Sequence, residues 1–152
     1  MACAAYDGLL AAALLMTAGF AYAGLTQLMG VERQVLGIRV VALALLAAYF
    51  VGFWSRRGQT LAMRTWRLRV QTPDGRSPSV ARATARFALT GLWWLPALIV
   101  AAWLPAPTPR VIGLALLIGC VAYGALALLL PGRQFLHDLL AGTEIVNADP
   151  LR

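Results

Sequence analysis

Apolar residues run almost unbroken through four stretches of this chain, residues 8–29, 35–54, 87–104 and 111–130, and polar residues gather between them. An α-helix rises about 1.5 Å per residue, so roughly 20 residues cross a hydrocarbon layer about 30 Å thick. Each stretch is that long or close to it. The pattern predicts an all-α transmembrane fold, a four-helix membrane bundle formed by residues 1–152 as one domain. The second stretch is the weakest of the four, because Arg39 interrupts its start; an Arg one turn from the boundary reaches the headgroups with its guanidinium, so the span stands.

The polar gaps carry a second layer of pattern. Within the loop 55–86, Gly58-Gln59-Thr60 followed by Leu61–Trp66 reads as a capped, short interfacial helix, with Leu61 and Met63–Trp66 available to lie on lipid. Arg67-Leu68-Arg69-Val70-Gln71 alternates polar and apolar, the period of a half-buried strand, and Thr72-Pro73-Asp74-Gly75 has turn composition. Ser77 or Ser79 is placed to cap a helix leading through Arg82 and Arg86 into the third span. In the tail 131–152, Gly142–Asn147 reads as a second short strand, able to pair with the first in a small β-ribbon. Pro96 should kink the third span, and Gly113, Gly119 and Gly124 should allow close helix approach in the fourth.

Composition agrees with the windows. Of the 152 residues 61% are hydrophobic and only 12% charged, with a mean hydropathy of +0.73; a soluble domain averages about 25% charged. All thirteen basic residues are Arg, against six acids, a usage that points to a GC-rich bacterial genome. Eight Arg fall in 55–86 with only Asp74 to offset them, whereas the two other loops hold Arg33, Arg39 and Glu32, and Arg110. The positive-inside rule then puts loop 55–86 and both termini in the cytoplasm, as a multi-pass protein of the bacterial inner membrane. It also explains the basic pI without nucleic acid: Arg56, Arg57, Arg64, Arg67 and Arg69 form a lipid-facing basic loop beside anionic headgroups. Ala21-Tyr22-Ala23 resembles a signal-peptide cleavage site, but the segment before it holds Asp7 and no Arg or Lys, so the first stretch reads as a retained helix.

Candidate chemistry is sparse. A carboxylate at the edge of a spanning helix is costly and marks Asp7 as an ion-handling residue or the partner of an Arg. Arg82 and Arg86 lie four residues apart on one helix face, Arg86 better placed to be drawn inside as partner to Asp7 or Asp138. His137, the only His, precedes Asp138; a lone His is more often a packed or hydrogen-bonded residue than a ligand, and the alternative beside Asp138 is a proton relay around neutral pH. Trp54, Trp93, Trp94 and Trp103 fall close to span ends, as an aromatic belt requires. Cys3 and Cys120 read as small buried apolar residues. One His and two separated Cys make no zinc site, and no nucleophile elbow, P-loop or dinucleotide fingerprint occurs, so no enzyme activity, metal or cofactor is expected.

The run from Gly58 to Val70, then Asp74-Gly75 and Arg82-Ala83-x-x-Arg86, resembles the central signature of RDD-family membrane proteins. Phe135-Leu136-His137-Asp138-Leu139-Leu140-Ala141-Gly142-Thr143 is similar to that family's C-terminal signature, and Tyr6-Asp7-Gly8-Leu9-Leu10 to its first-helix pattern. The resemblance implies that Asp7 and Asp138 are the two Asp of the family name, and that its Arg stands just upstream of Met1, where a true start would supply it. It further implies transport of an undefined ligand. Two functions are thus expected: a small transporter or transporter subunit, in the form of a cation/proton exchanger, or an adaptor whose Arg-rich face binds anionic lipid or a partner protein. Four spans are few for alternating access, so transport implies a homo-oligomer or a membrane partner.

Overall fold

The computed structural model describes residues 2–31, 35–130, 132 and 134–148; Met1, Glu32, Arg33 and the last four residues, some of which entered the charge count above, lie outside the described residues. Four helical spans are long and apolar enough to cross a membrane. Helix α1 covers Ala2–Leu28 and α2 Val35–Arg57. The third span, Val80–Trp103, is composite: α4 (Val80–Thr90), a 3₁₀ turn (Gly91–Trp94) and α5 (Leu95–Trp103). The fourth is α6, Pro109–Leu129. Between α2 and α4 lie α3 (Leu61–Thr65) and β1 (Leu68–Gln71); after α6 come α7 (Leu136–Ala141) and β2 (Glu144–Asn147).

The spans form because little else is open to such sequences. In lipid a backbone must bond to itself, and side-chain hydroxyls do likewise: Thr17 and Thr26 of α1 donate to the carbonyls of Ala13 and Tyr22 four residues back. The expected kink is visible at Pro96. Having no N–H, Pro96 leaves the Leu92 carbonyl without its helical donor, and the Leu95 N–H takes it instead in the tighter 3₁₀ pattern. The proline ring then rests on Gly119 of α6, where an added Cβ would come within 2.7 Å of Pro96 Cγ. Gly119 is thus a close-packing position, whereas Gly113 has open space around it.

The packed core sits at one end of the bundle, not along it. Trp54, Met63, Val70 and Ala83 are buried together, with Phe50, Leu68, Phe87 and Ile145 against them; α1 buries none of its residues. Spans whose solvent is lipid have no hydrophobic reason to bury their flanks. The polar segments, by contrast, must fold to hide theirs. Thr60 caps α3 through Met63 N–H, and Ser79 caps α4 through Arg82 N–H. Strands β1 and β2 pair antiparallel with Val70 opposite Ile145. Both outer edges of this ribbon are covered: Val70 N–H donates to the Gly58 carbonyl, and Gln134 clamps the Ile145 backbone from the other side. Gly58 ends α2 at φ +68°, with the Val70 carbonyl oxygen where a Cβ would stand.

Two expectations fail here. Met63 does not lie on lipid; Leu61 and residues 64–66 of that segment face outward, because Ala62 and Met63 close the core beneath α3. Nor are the cysteines buried. Cys120 is exposed on α6 and Cys3 half-exposed on α1, where both border an open space between the helices.

Candidate functional site

Asp138 is the most enclosed carboxylate of the chain's described residues, with no exposed surface. The short α7 places it under α4, where Arg86 Nε donates to its Oδ1 at 2.5 Å. The Thr143 hydroxyl, one residue beyond the left-handed turn at Gly142, donates to the same oxygen at 3.2 Å. Arg86 is 4% exposed, and its guanidinium carbon lies 4.2 Å from the centre of the Trp54 ring. A buried charge pair holds a fold only when both ions are well partnered; the charge of Arg86 is met by Asp138 on one side and the indole face on the other. Its Nη1 and the Asp138 Oδ2 still lack hydrogen-bond partners among the described residues.

His137 is held just as firmly. Tyr123, on α6, accepts a hydrogen bond from the His137 backbone N–H at 3.0 Å. Its hydroxyl lies 2.8 Å from Nδ1, so its own proton is directed there and Nε2 carries the imidazole hydrogen. Nε2 in turn sits 3.7 Å from Asp138 Oδ2. The Tyr123, Phe135 and His137 rings stack together and leave His137 5% exposed. Burial pushes the His137 pKa down to about 4, Arg86 adding to the effect and Asp138 opposing it. A His neutral through this range is a hydrogen-bonding strut, the packed residue of the two readings the sequence offered, and its burial disfavours the proton relay near neutral pH.

Asp7 belongs to a different arrangement. It makes no ion pair with Arg86 or Arg82. Its Oδ2 accepts from the Thr60 hydroxyl at 2.7 Å, so the residue capping α3 also anchors α1. Its Oδ1 is buried without a well-formed hydrogen bond among the described residues, as is the Tyr49 hydroxyl of α2, which lies near enough to interact with the carboxylate. Asp7 and Arg86 both line a cavity of about 560 Å³ between α1, α2, α4 and α6, walled by Phe50, Trp54, Phe87, Trp93, Trp94 and Phe135. The aromatic belt expected of the tryptophans therefore describes only part of the set. Trp103 is outward-facing, but Trp54 is 6% exposed and is a wall of the cavity, since the guanidinium it stacks on lies inside.

Arg82 departs from the network. Ala83 and Arg86 define the buried stripe of α4; Arg82 sits at its margin and points out. Of the basic loop, Arg56, Arg57, Arg64 and Arg67 are exposed, whereas Arg69 is half-buried and donates to Ser77. Among the described residues no cluster of three His, Cys, Asp or Glu could hold a metal.

The family model described as RDD family matches residues 1–142. The chain belongs to the RDD family. RDD proteins are membrane proteins, in keeping with the four spans. No curated protein and no solved structure matches the chain. The two carboxylates that the resemblance assigns to the RDD name thus differ in setting: Asp138 is paired with the Arg86 charge, whereas Asp7 has no ion pair among the described residues and lines a cavity. The position expected for the family Arg, just ahead of Met1, falls outside the described residues.

Sequence reasoning missed three partners. Thr60 was legible as a cap but not as the Asp7 donor, 53 residues away. Tyr123 carried a signal: a hydroxyl in mid-span needs a partner in lipid. Thr143 stood inside the C-terminal signature itself.

Proposed function

We propose that this RDD protein is a transporter, or a subunit of one, in a bacterial inner membrane, exchanging a cation for a proton at Asp7. One observation carries the reading: the Asp7 carboxylate has one oxygen fixed by Thr60 and the other unpaired in the wall of a 560 Å³ cavity. A carboxylate left unsatisfied inside a membrane bundle is costly and is retained where an ion or proton visits it. The Arg86–Asp138 clamp, by contrast, has its charges matched and serves as the frame that fixes the cavity wall. The protein catalyses no covalent chemistry in this reading, and loop 55–86 faces the cytoplasm.

The test is proton flux into proteoliposomes on addition of Na⁺, K⁺ or an organic ammonium ion, wild type beside Asp7→Asn. Flux in the wild type and none in a folded mutant supports exchange. Absence of flux with every cation across pH 5–9 rejects it, and so does full flux in Asp7→Asn. The exposed Arg56, Arg57, Arg64 and Arg67 favour a second reading, an adaptor docking on anionic lipid or a membrane partner. It predicts that Asp7→Asn lowers the yield of folded protein and that no cation elicits flux.

A further inference from the structure

The lining of the Asp7 cavity limits what kind of cation it suits. An inorganic ion stripped of water needs a shell of oxygens, six or more for most hard cations. Among the described residues the cavity offers one carboxylate with a free oxygen, and its other walls are mainly carbon: the rings of Trp54, Trp93, Trp94 and Phe135. Its volume, about 560 Å³, is that of an organic ligand pocket and many times that of a bare ion. Charge points the same way. Of the two charged residues in its lining, Arg86 is already paired with Asp138 behind the wall, so Asp7 is the uncompensated charge of the site, among faces that attract cations through their π quadrupoles. Arg86 already uses one such face, on Trp54.

We propose that this cavity binds an amphipathic organic cation, a bulky amine or quaternary cation of drug size, with its charge toward Asp7 and its apolar body against the indoles. The inference rests on the exchange reading for its physiological sense, but binding is separable from flux. Cys3 and Cys120 both line the cavity, from α1 and α6, and provide a reporter that needs no transport.

The experiment measures maleimide labelling of Cys3 and Cys120 in the purified full chain in nanodiscs, with tetraphenylphosphonium as probe. Tetraphenylborate, of the same shape and opposite charge, and NaCl and KCl serve as comparisons. Saturable protection by tetraphenylphosphonium, absent with the borate and the salts, is the expected result. Asp7→Asn should weaken it about tenfold, and Trp94→Leu, at a side chain 60% exposed and so tolerant of change, should weaken it several-fold. Equal protection by both tetraphenyl ions would show an apolar cavity without cation preference and overturn the proposal. So would failure of tetraphenylphosphonium to protect the folded wild type, or undiminished protection in both variants. Na⁺-driven flux without tetraphenylphosphonium protection would sink this inference and leave exchange standing. Protection without flux from any cation would do the reverse.

Discussion

Replacing Asp138 by Asn tests whether the Arg86–Asp138 pair frames the site. The change keeps the side chain's shape and leaves a carbonyl oxygen for the Thr143 hydroxyl, but removes the charge facing Arg86. Arg86 is 4% exposed and already has one nitrogen, Nη1, without a partner among the described residues, so bulk solvent reaches it little. Breaking a buried pair by removing one charge costs about 3–5 kcal/mol. At roughly 2–4 °C per kcal/mol for a chain of this size, the melting temperature should fall by on the order of 10 °C. Tryptophan fluorescence on heating in detergent would read it, because Trp54 lies against the guanidinium. Removing both charges, Arg86→Met with Asp138→Leu, should recover much of the loss, since neither ion is then left unpaired; Thr143 keeps the Asp138 backbone carbonyl as an acceptor. An Asp138→Asn loss below about 1 kcal/mol, the scale of a solvated pair, would refute the reasoning. A double variant as unstable as the sum of the singles would also refute it.

Other positions give sharper contrasts. Arg82→Ala should leave the melting temperature within about 2 °C while Arg86→Ala lowers it severely, although the two are one turn apart; thermal unfolding of both decides it. Gly58→Ala meets a positive φ and the Val70 carbonyl together, and should cost roughly 1–3 kcal/mol, read by the same melt. His137 has a folded pKa of about 4 against an ordinary 6.5, so the unfolded chain binds more protons between those values. Stability should therefore be full above pH 6.5 and be lost as the pH falls toward 4, by roughly 3 kcal/mol at about 1.4 kcal/mol per pH unit. Melting curves of wild type minus His137→Gln across that window should show the slope, and a flat difference would rule it out. Gly119→Leu should push Pro96 away and loosen α5 from α6, detectable as faster proteolysis at the loop 104–108.

How much of this was written in the sequence depends on what kind of contact is asked about. The spans, the two short strands and the caps at Thr60 and Ser79 depend on local periodicity and nearby hydrogen bonds, and all are present in the fold. The pairing of Arg86 with an Asp was legible because two unlike charges next to lipid have few ways to be satisfied. Which Asp was not, since the choice is made by α7 folding back under α4. The cavity left no trace either. A helix in lipid is apolar on every side, so its sequence does not say which face meets protein, and the burial of Trp54 or the exposure of Cys120 at the cavity follows from packing alone. Arg82 shows the limit of helical spacing as a guide: four residues from Arg86 is the same face only to within the width of the buried stripe.

The account turns on Asp7 exchanging a proton for a cation. The most direct measurement is proton release from the purified protein in weakly buffered detergent solution, on addition of Na⁺, K⁺ or tetraphenylphosphonium in turn. Wild type should release up to one proton per chain with at least one of these cations, and Asp7→Asn none. Release that persists in Asp7→Asn, or no release from folded wild type with any of the three, would contradict it.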